Sequence, residues 1–272
     1  DQIEAYVRKS YPHLKCRFVE QKVMRGQSDA IYLAHEYLHG PMIMIFSDTL
    51  METEFSFLKD EKLDGVAWVK AVPDPRRFGV AEVNSAGRVT RLIEKPQTVE
   101  NNLAVIGVYY FRDSEALVAA IEEQMRQNIS LKGEFFLTDA INILLKRGAS
   151  MRVQPVDVWL DAGTPAALLD TNRYLLEHGH DNSAQVKHAD GAAIIPPVFI
   201  HPDAHIEGSV IGPHASIGPG CKVVHSVVRN SILEDNVELE DVVLEESILG
   251  CNAAVQGQVT RMNVGDQSWV KK

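Results

Sequence analysis

Cysteine is scarce in this chain: Cys16, Cys221 and Cys251 are the only three in 272 residues, odd in number and without CxxC spacing. That excludes a disulfide framework and a zinc–thiolate cluster. It fits a reducing compartment, so a cytoplasmic protein is expected. Positive charge is also short, with 27 Lys and Arg against 37 Asp and Glu and a net charge of -10. A nucleic acid or an anionic membrane needs a basic face, so neither is an expected partner, whereas a small anionic substrate needs only a few local cations. No apolar run approaches the roughly 18 residues of a membrane span, and neither a signal peptide nor an initiator methionine opens the chain.

What is present is enough apolar material, 45% of residues, for two cores in a chain longer than a typical domain. Residues 1–10 (DQIEAYVRKS) carry Ile3, Tyr6 and Val7 at helical spacing, so the sequence opens inside an amphipathic helix. The expectation is an N-terminally truncated piece of a longer protein. A strand over 16–20 and a helix over 26–38 follow, then apolar strands at 41–46, 65–70, 80–83, 89–93 and 104–111. Helices are predicted at 114–127 and 137–147, a strand at 151–156 and a closing helix at 165–177. Continuous apolar strands interleaved with helices predict a doubly covered, mostly parallel α/β sheet over residues 1–180. A polar stretch, 179–191, reads as a linker.

Beyond it the period changes. Ile200, Ile206, Ile211, Ile217, Val223, Val228, Leu233, Leu239, Leu244, Leu249 and Val255 recur at intervals of five or six residues. Neither an amphipathic helix nor an alternating strand gives that series. Together with the segment IGPHASIGPG it predicts a left-handed parallel β-helix of hexapeptide-like repeats over 192–266, each aliphatic stacking on its equivalent one coil away. A β-sandwich of short strands is the alternative. The flat faces of such a prism predict a homo-oligomer assembled through the β-helix.

Chemistry on phosphates needs a divalent cation held by carboxylate oxygens. Asp48 follows the apolar strand PMIMIF, and Asp161 lies in VWLDAGTP. Ligands collect at the C-terminal ends of strands in open α/β sheets, so the two could share one ion. A turn or helix-capping role would explain either alone. Glu94-Lys95-Pro96 follows the strand VTRLIE, offering a point charge for a phosphate and an acceptor for hydroxyls. Gly79, in RRFGVAEV, suits close backbone approach to a ligand, or a simple bend. Gln21 with Gly26 could read a base edge, or could form a turn.

Seven segments in this order, QKVMRGQSDA, IFSDTL, RRFGVAEV, LIEKP, NLAVIGVYYF, KGEFFLTDAI and VWLDAGTPAALL, resemble the sugar-1-phosphate nucleotidyltransferases. The resemblance is to long glucose-1-phosphate thymidylyltransferase-like members with a C-terminal left-handed β-helix, and it spans nearly the whole chain. It implies a Rossmann-like nucleotidyltransferase domain and the transfer of a nucleotidyl group from an NTP to a sugar-1-phosphate. It further implies Mg²⁺ on Asp48 and Asp161, the nucleobase on Gln21 and Gly26, and sugar hydroxyls on Glu94 and Gly79. Lys95 would meet the sugar phosphate, while the Val105 backbone and the Tyr109 side chain would line the sugar pocket. Members open with a strand and a Gly-rich loop bearing an Arg and, further on, a Lys for the triphosphate. Nothing before Asp1 matches these, so this piece alone is expected to be inactive. Ser-Asp-Thr also stands where many members have Gly-Asp-Asn. A non-catalytic regulatory or assembly subunit of the same fold is the alternative, although such a subunit has no physical need for Asp48 and Asp161. Acyl transfer at the β-helix would rest on His201, His205, His214 and His225, which read equally as solvated surface residues.

Overall fold

The computed structural model describes residues 2–186 and 189–257. The chain forms two compact units, Asp1–Trp159 and Leu160–Lys272.

The first unit opens with α1 (Gln2–Ser10), none of whose residues is buried. The predicted strand over 16–20 does not form: among the described residues no ladder partner takes its backbone groups. The helix predicted over 26–38 is α2 (Gln27–Leu33) followed by a 3₁₀ turn at His35–Tyr37. After it come β1 (Met42–Ile45), β2 (Thr49–Met51), β3 (Gly65–Ala71), β4 (Gly79–Val83), β5 (Val89–Glu94), β6 (Leu103–Phe111), α3 (Ser114–Arg126), α4 (Leu137–Lys146) and β7 (Met151–Pro155).

The main sheet runs β5-β4-β6-β3-β7, with β1 also paired to β6. Both faces are covered, as the continuous apolar strands require. On one face Ala67, Val69, Val105, Tyr109 and Phe111 pack with α3 and α4 residues such as Leu117, Ile121, Leu137 and Ile141. On the other, Val66, Trp68, Ile106, Val108 and Tyr110 pack with Phe55 and Phe57. The direction of the strands differs from expectation. Only β3 and β7 pair in parallel, while β1–β6, β3–β6, β4–β5 and β4–β6 are antiparallel. The cause is in the connections. β4 and β5 are joined by a tight turn in which the Asn84 side chain accepts from the backbone of Ala86 and Arg88, and no crossover helix intervenes there to return the chain in parallel.

β6 is the central strand. Along one edge it meets β3; along the other its start meets β4, at Ala104, and its end meets β1, from Val108 to Phe111. Between those stretches lies Gly107 at φ 78, where an added Cβ would stand 2.5 Å from the Phe46 ring. Both the positive φ and the close approach demand glycine.

α4 docks on β5 through Asn142, whose Oδ1 accepts from Leu92 N–H and whose Nδ2 donates to the Leu92 carbonyl, each at 2.8 Å. That side chain completes the outer edge of β5. One helical turn earlier, Thr138 lies beside Glu94, two residues beyond Leu92. A turn of helix and two residues of strand have nearly the same rise, so the elements stay in step.

In the second unit the eleven aliphatics form three in-register parallel columns of a three-sided β-helix. They are Ile200–Ile217–Leu233–Leu249, Ile206–Val223–Leu239–Val255 and Ile211–Val228–Leu244. Residues 258–266 of the predicted repeat lie outside the described residues. Corners are turned by residues of positive φ, among them Asn230, Asn236, Asp241 and Asn252, which tolerate the left-handed region best after glycine. Buried serines satisfy the coil backbone: Ser209 Oγ accepts from Ser226 N–H at 2.9 Å, and Ser226 Oγ accepts from Val242 N–H at 3.1 Å. Ile217 is fully buried between its equivalents. Ile217→Ala is expected to lower stability by about 3 kcal/mol, read as the loss in a guanidinium unfolding titration.

The helix over 165–177, read from sequence as the close of the first domain, is α5 (Pro165–Leu175) and belongs to the second unit. Its side chains hold it there. Asn172 Nδ2 donates to the His214 carbonyl, Asn172 Oδ1 accepts from Ser216 Oγ, and Arg173 donates to Asn230 Oδ1. The polar stretch after it is likewise no loose tether. Asn182 pairs with both backbone groups of Ile200, and Asp181 accepts from Val198 N–H at 3.0 Å, so the first coil is capped.

Candidate active site

The antiparallel hairpin sets Gly79, the first residue of β4, opposite Glu94, the last of β5. Thr138 Oγ1 donates to Glu94 Oε2 at 3.3 Å. A Cβ on Gly79 would lie 3.1 Å from Thr138 Cγ2 and 3.3 Å from Glu94 Oε2, so the glycine keeps clear the space in front of the carboxylate. Burial pushes the Glu94 carboxyl above its ordinary pKa, outweighing the opposing pull of Lys95 and of the Thr138 hydroxyl. Lys95 has a positive φ of 45 and holds its ammonium 4.7 Å from the centre of the Phe136 ring. Val105 and Tyr109 are both buried in β6, at 6% and 4% exposure. The Tyr109 ring stacks on Phe111, and its hydroxyl pKa is raised by burial and then by the charge of Glu94. Tyr109 is therefore first a core residue, with little surface to offer a ligand.

A second cluster forms around Gln21 and Gly26. Gln21 Nε2 donates to the Gly26 carbonyl at 3.1 Å and to Asp29 Oδ2 at 2.8 Å. Gly26 caps α2 at φ 99 and ψ 179, a conformation reserved for glycine. A Cβ there would stand 2.6 Å from the Phe135 carbonyl oxygen. Around it, Phe135 N–H donates to the Arg25 carbonyl, Ser28 N–H donates to the Phe135 carbonyl, and Leu137 N–H donates to Gln27 Oε1 at 3.3 Å.

Residues 135–138 thus join the two clusters. Phe135 braces Gly26, Phe136 underlies Lys95, and Thr138 engages Glu94. None of these was picked out as a site residue from the sequence, nor was Asp29. Their segment KGEFFLTDAI was visible, but their part in the site exists only through contacts distant in the chain.

Asp48 lies in the exposed turn between β1 and β2, and among the described residues its carboxylate has no hydrogen-bond partner. The turn itself is held from β6: Phe46 N–H donates to the Gly107 carbonyl and Thr49 Oγ1 to the Ile106 carbonyl. Asp161, in the second unit, accepts the Gly163 N–H on Oδ1 at 2.9 Å. Among the described residues no three or more His, Cys, Asp or Glu side chains gather at one place. An uncommitted carboxylate on a rigid turn fits Mg²⁺, which takes one or two carboxylates and otherwise keeps water and substrate oxygens.

Residues 2–178 match the nucleotidyl transferase family. The chain belongs to that family. A glucose-1-phosphate thymidylyltransferase of Streptomyces antibioticus is 29% identical over 288 residues, covering 95% of this chain and 79% of that protein. The low-salt glycan biosynthesis nucleotidyltransferase Agl11 of Haloferax volcanii is 30% identical over 257 residues, covering 84% of this chain and 69% of that one. In structure, a Bacillus anthracis protein described as a glucose-1-phosphate thymidylyltransferase superposes with a TM-score of 0.55 at 24% identity, over 64% of this chain and 70% of its own. That likeness is one of fold. The nucleotidyltransferase is thus an α/β member of the family followed by a parallel β-helix, and its activity is of the sugar-1-phosphate nucleotidyltransferase kind. Among its described residues no helix is long and apolar enough to cross a membrane.

The partial burial of Glu94 gives a test by linkage. Its pKa is raised in the fold, so its contribution to stability is fully present below the unfolded value and is lost as pH rises through the folded one. Glu94→Gln is therefore expected to melt higher than the native protein at pH 7.5, while the two converge near pH 4. A lower melting temperature for the variant at pH 7.5 would contradict the burial argument.

Proposed function

We propose that this nucleotidyltransferase joins dTTP to glucose-1-phosphate, releasing pyrophosphate. The observation that carries the reading is the Gly79–Glu94–Thr138 floor beside Lys95, joined through residues 135–138 to the Gln21–Gly26 cluster. A half-buried carboxylate with open space in front of it suits sugar hydroxyls, and an adjacent ammonium suits the sugar phosphate. The Val105 backbone and the Tyr109 edge bound the sugar side, and Gln21 with Gly26 takes the base. The names of the thymidylyltransferase relatives favour thymine and glucose.

In the reaction an oxygen of the sugar phosphate attacks the α-phosphorus of the NTP in line. The new P–O bond forms as the bond from the α-phosphorus to the bridging oxygen breaks, and pyrophosphate leaves with that electron pair. The protein's work in such a transfer is placement and charge neutralisation. Asp48 would hold Mg²⁺, which neutralises phosphate charge when bound, and Asp161, in the second unit, is the other carboxylate that the resemblance implies. The chemistry belongs to a reducing compartment, the cytoplasm, and all three cysteines are free thiols.

We propose also that residues 1–272 taken alone do not turn over substrate. Among the described residues β1 is paired on one edge only, and Ile43 and Ile45 are 45% and 51% exposed, so they leave the sheet beside the Asp48 turn without the cover that a working site needs. The deciding experiment is a screen of dTTP, UTP, GTP, CTP and ATP against glucose-1-phosphate and mannose-1-phosphate, using the complete gene product and reading pyrophosphate release. Fastest turnover with dTTP and glucose-1-phosphate is expected. No release with any pair overturns the reading, and Mg²⁺-independent nucleotide binding without turnover would favour the non-catalytic alternative. Turnover by the 272-residue chain itself would overturn the second proposal.

A homo-oligomer built through the β-helix is supported by one face of the prism. Ala193, Val210, Val227 and Val243 stand in register as an outward apolar column, with Val243 72% exposed. The face with Glu207, Lys222, Glu238 and Glu240 is charged instead. Val227→Glu with Val243→Glu is expected to shift the protein to a smaller species in sedimentation velocity, with its circular dichroism unchanged.

A further inference from the structure

Asp29, the third residue of α2, is 6% exposed and divides its carboxylate between two partners. Oδ1 accepts from Arg25 Nε at 3.0 Å and Nη2 at 2.6 Å; Oδ2 accepts from Gln21 Nε2 at 2.8 Å. The same Gln21 nitrogen donates to the Gly26 carbonyl at 3.1 Å. A primary amide has two N–H donors on nitrogen and acceptor lone pairs on oxygen. Here both donors are spent on protein oxygens. Were the amide turned over, Gln21 Oε1 would face the Asp29 carboxylate and the Gly26 carbonyl with no donor among the three oxygens, so the geometry disfavours that orientation. Gln21 Oε1 is left pointing away from these partners, and it has no protein donor among the described residues.

We propose that Asp29 is a positioning residue for base recognition: it locks the Gln21 amide so that the site presents an acceptor and selects a base offering an N–H, as the imide edge of thymine or uracil does. The proposal rests on the nucleotidyl-transfer reading above and on Gln21 meeting the base. A purely local role exists beside it, since Arg25 and Asp29 form an i,i+4 ion pair across the start of α2. That role needs no bond to Gln21 and leaves base choice unchanged.

The test compares UTP with N3-methyl-UTP, in which a methyl group replaces the imide hydrogen, by calorimetric binding to the full-length protein. The native protein is expected to prefer UTP by about tenfold, or about 1.4 kcal/mol. In Asp29→Asn the new side-chain oxygen stays with Arg25 and its N–H₂ faces Gln21, so the glutamine amide loses its imposed orientation. The preference should fall to about twofold or less. If Asp29 acts only through Gln21, adding Asp29→Asn to Gln21→Leu should change the preference no further than Gln21→Leu does alone. Circular dichroism with glucose-1-phosphate binding checks that each variant is folded. An unchanged tenfold preference in Asp29→Asn, or a further change when it is added to Gln21→Leu, overturns the positioning role. Failure of the underlying reading looks different: the native protein and Gln21→Leu would then bind UTP equally, or not at all, and the proposal would fall with it.

Discussion

Asp48→Asn is expected to reduce nucleotidyl transfer by the complete gene product by about a thousandfold, with the melting temperature unchanged. The two halves of that expectation come from one observation. Asp48 is exposed in the turn after β1, and its carboxylate has no protein partner among the described residues. Neutralising it therefore breaks no hydrogen bond and buries no unpaired group, so stability has no reason to change. The turn is held instead by backbone and by Thr49, which the substitution leaves alone. Asn matches Asp in shape but supplies no negative charge to a hard cation, and a Mg²⁺ site with few carboxylates depends on each of them. The measurement is pyrophosphate release across a magnesium titration, with Asp161→Asn in parallel. Turnover within threefold of the native protein at saturating magnesium would remove Asp48 from the metal site.

Gly26→Ala is expected to act in the opposite way, through the fold first. At φ 99 and ψ 179 the backbone sits where residues with a side chain are strained by about 1–3 kcal/mol. The new methyl would also stand 2.6 Å from the Phe135 carbonyl oxygen and 2.7 Å from its nitrogen. Both are backbone atoms, fixed by hydrogen bonds to Arg25 and Ser28, so neither yields cheaply. A loss of about 3 kcal/mol or more in urea unfolding is expected, together with loss of the Gln21–Gly26 contact and of nucleotide affinity. A loss below about 1 kcal/mol would mean that the segment before α4 relaxes freely. The structural demand for glycine at position 26 also shows that this residue type, by itself, is no evidence of a ligand.

How much of this was legible beforehand depends on how local the signal is. The β-helix could be read rung by rung, because all eleven aliphatics recur at intervals that no other architecture uses, and each falls in a column. Strand direction could not be read. A buried strand is apolar whichever way it runs, so β3, β4, β5 and β6 read as members of a parallel sheet although their pairings with one another are antiparallel. The strand expected over 16–20 failed because alternation without a partner makes no ladder. The helix α5 closes the stretch that matches the family, yet its polar contacts with the coil corners at His214 and Asn230, which carry no local pattern, group it with the second compact unit. In the site, Gly79 and Glu94 stood out within their own motifs and do face each other. Thr138, Phe135 and Asp29 acquire meaning only when α4 lies along β5 and α2 lies against residue 135, which no spacing in the sequence announces.

The long strand β6 has a further consequence. Its start carries β4, with Val80 opposite Ala104 and Gly79 next to it; its end carries β1, and the turn of Asp48 after β1 is fastened in mid-strand to the Ile106 and Gly107 carbonyls. One continuous backbone therefore sets the spacing between Gly79, on the proposed sugar side, and Asp48, on the proposed metal side, at about 3.3 Å per residue. Under the proposed function, substitutions in the hairpin or in the loops around it can change the sugar pocket without moving the Asp48 turn. A single residue inserted into β6 cannot be absorbed so locally, because it shifts one half against the other and exchanges the two faces of the sheet. Acceptor choice is free to drift in this architecture, while the length of its central strand is held fixed.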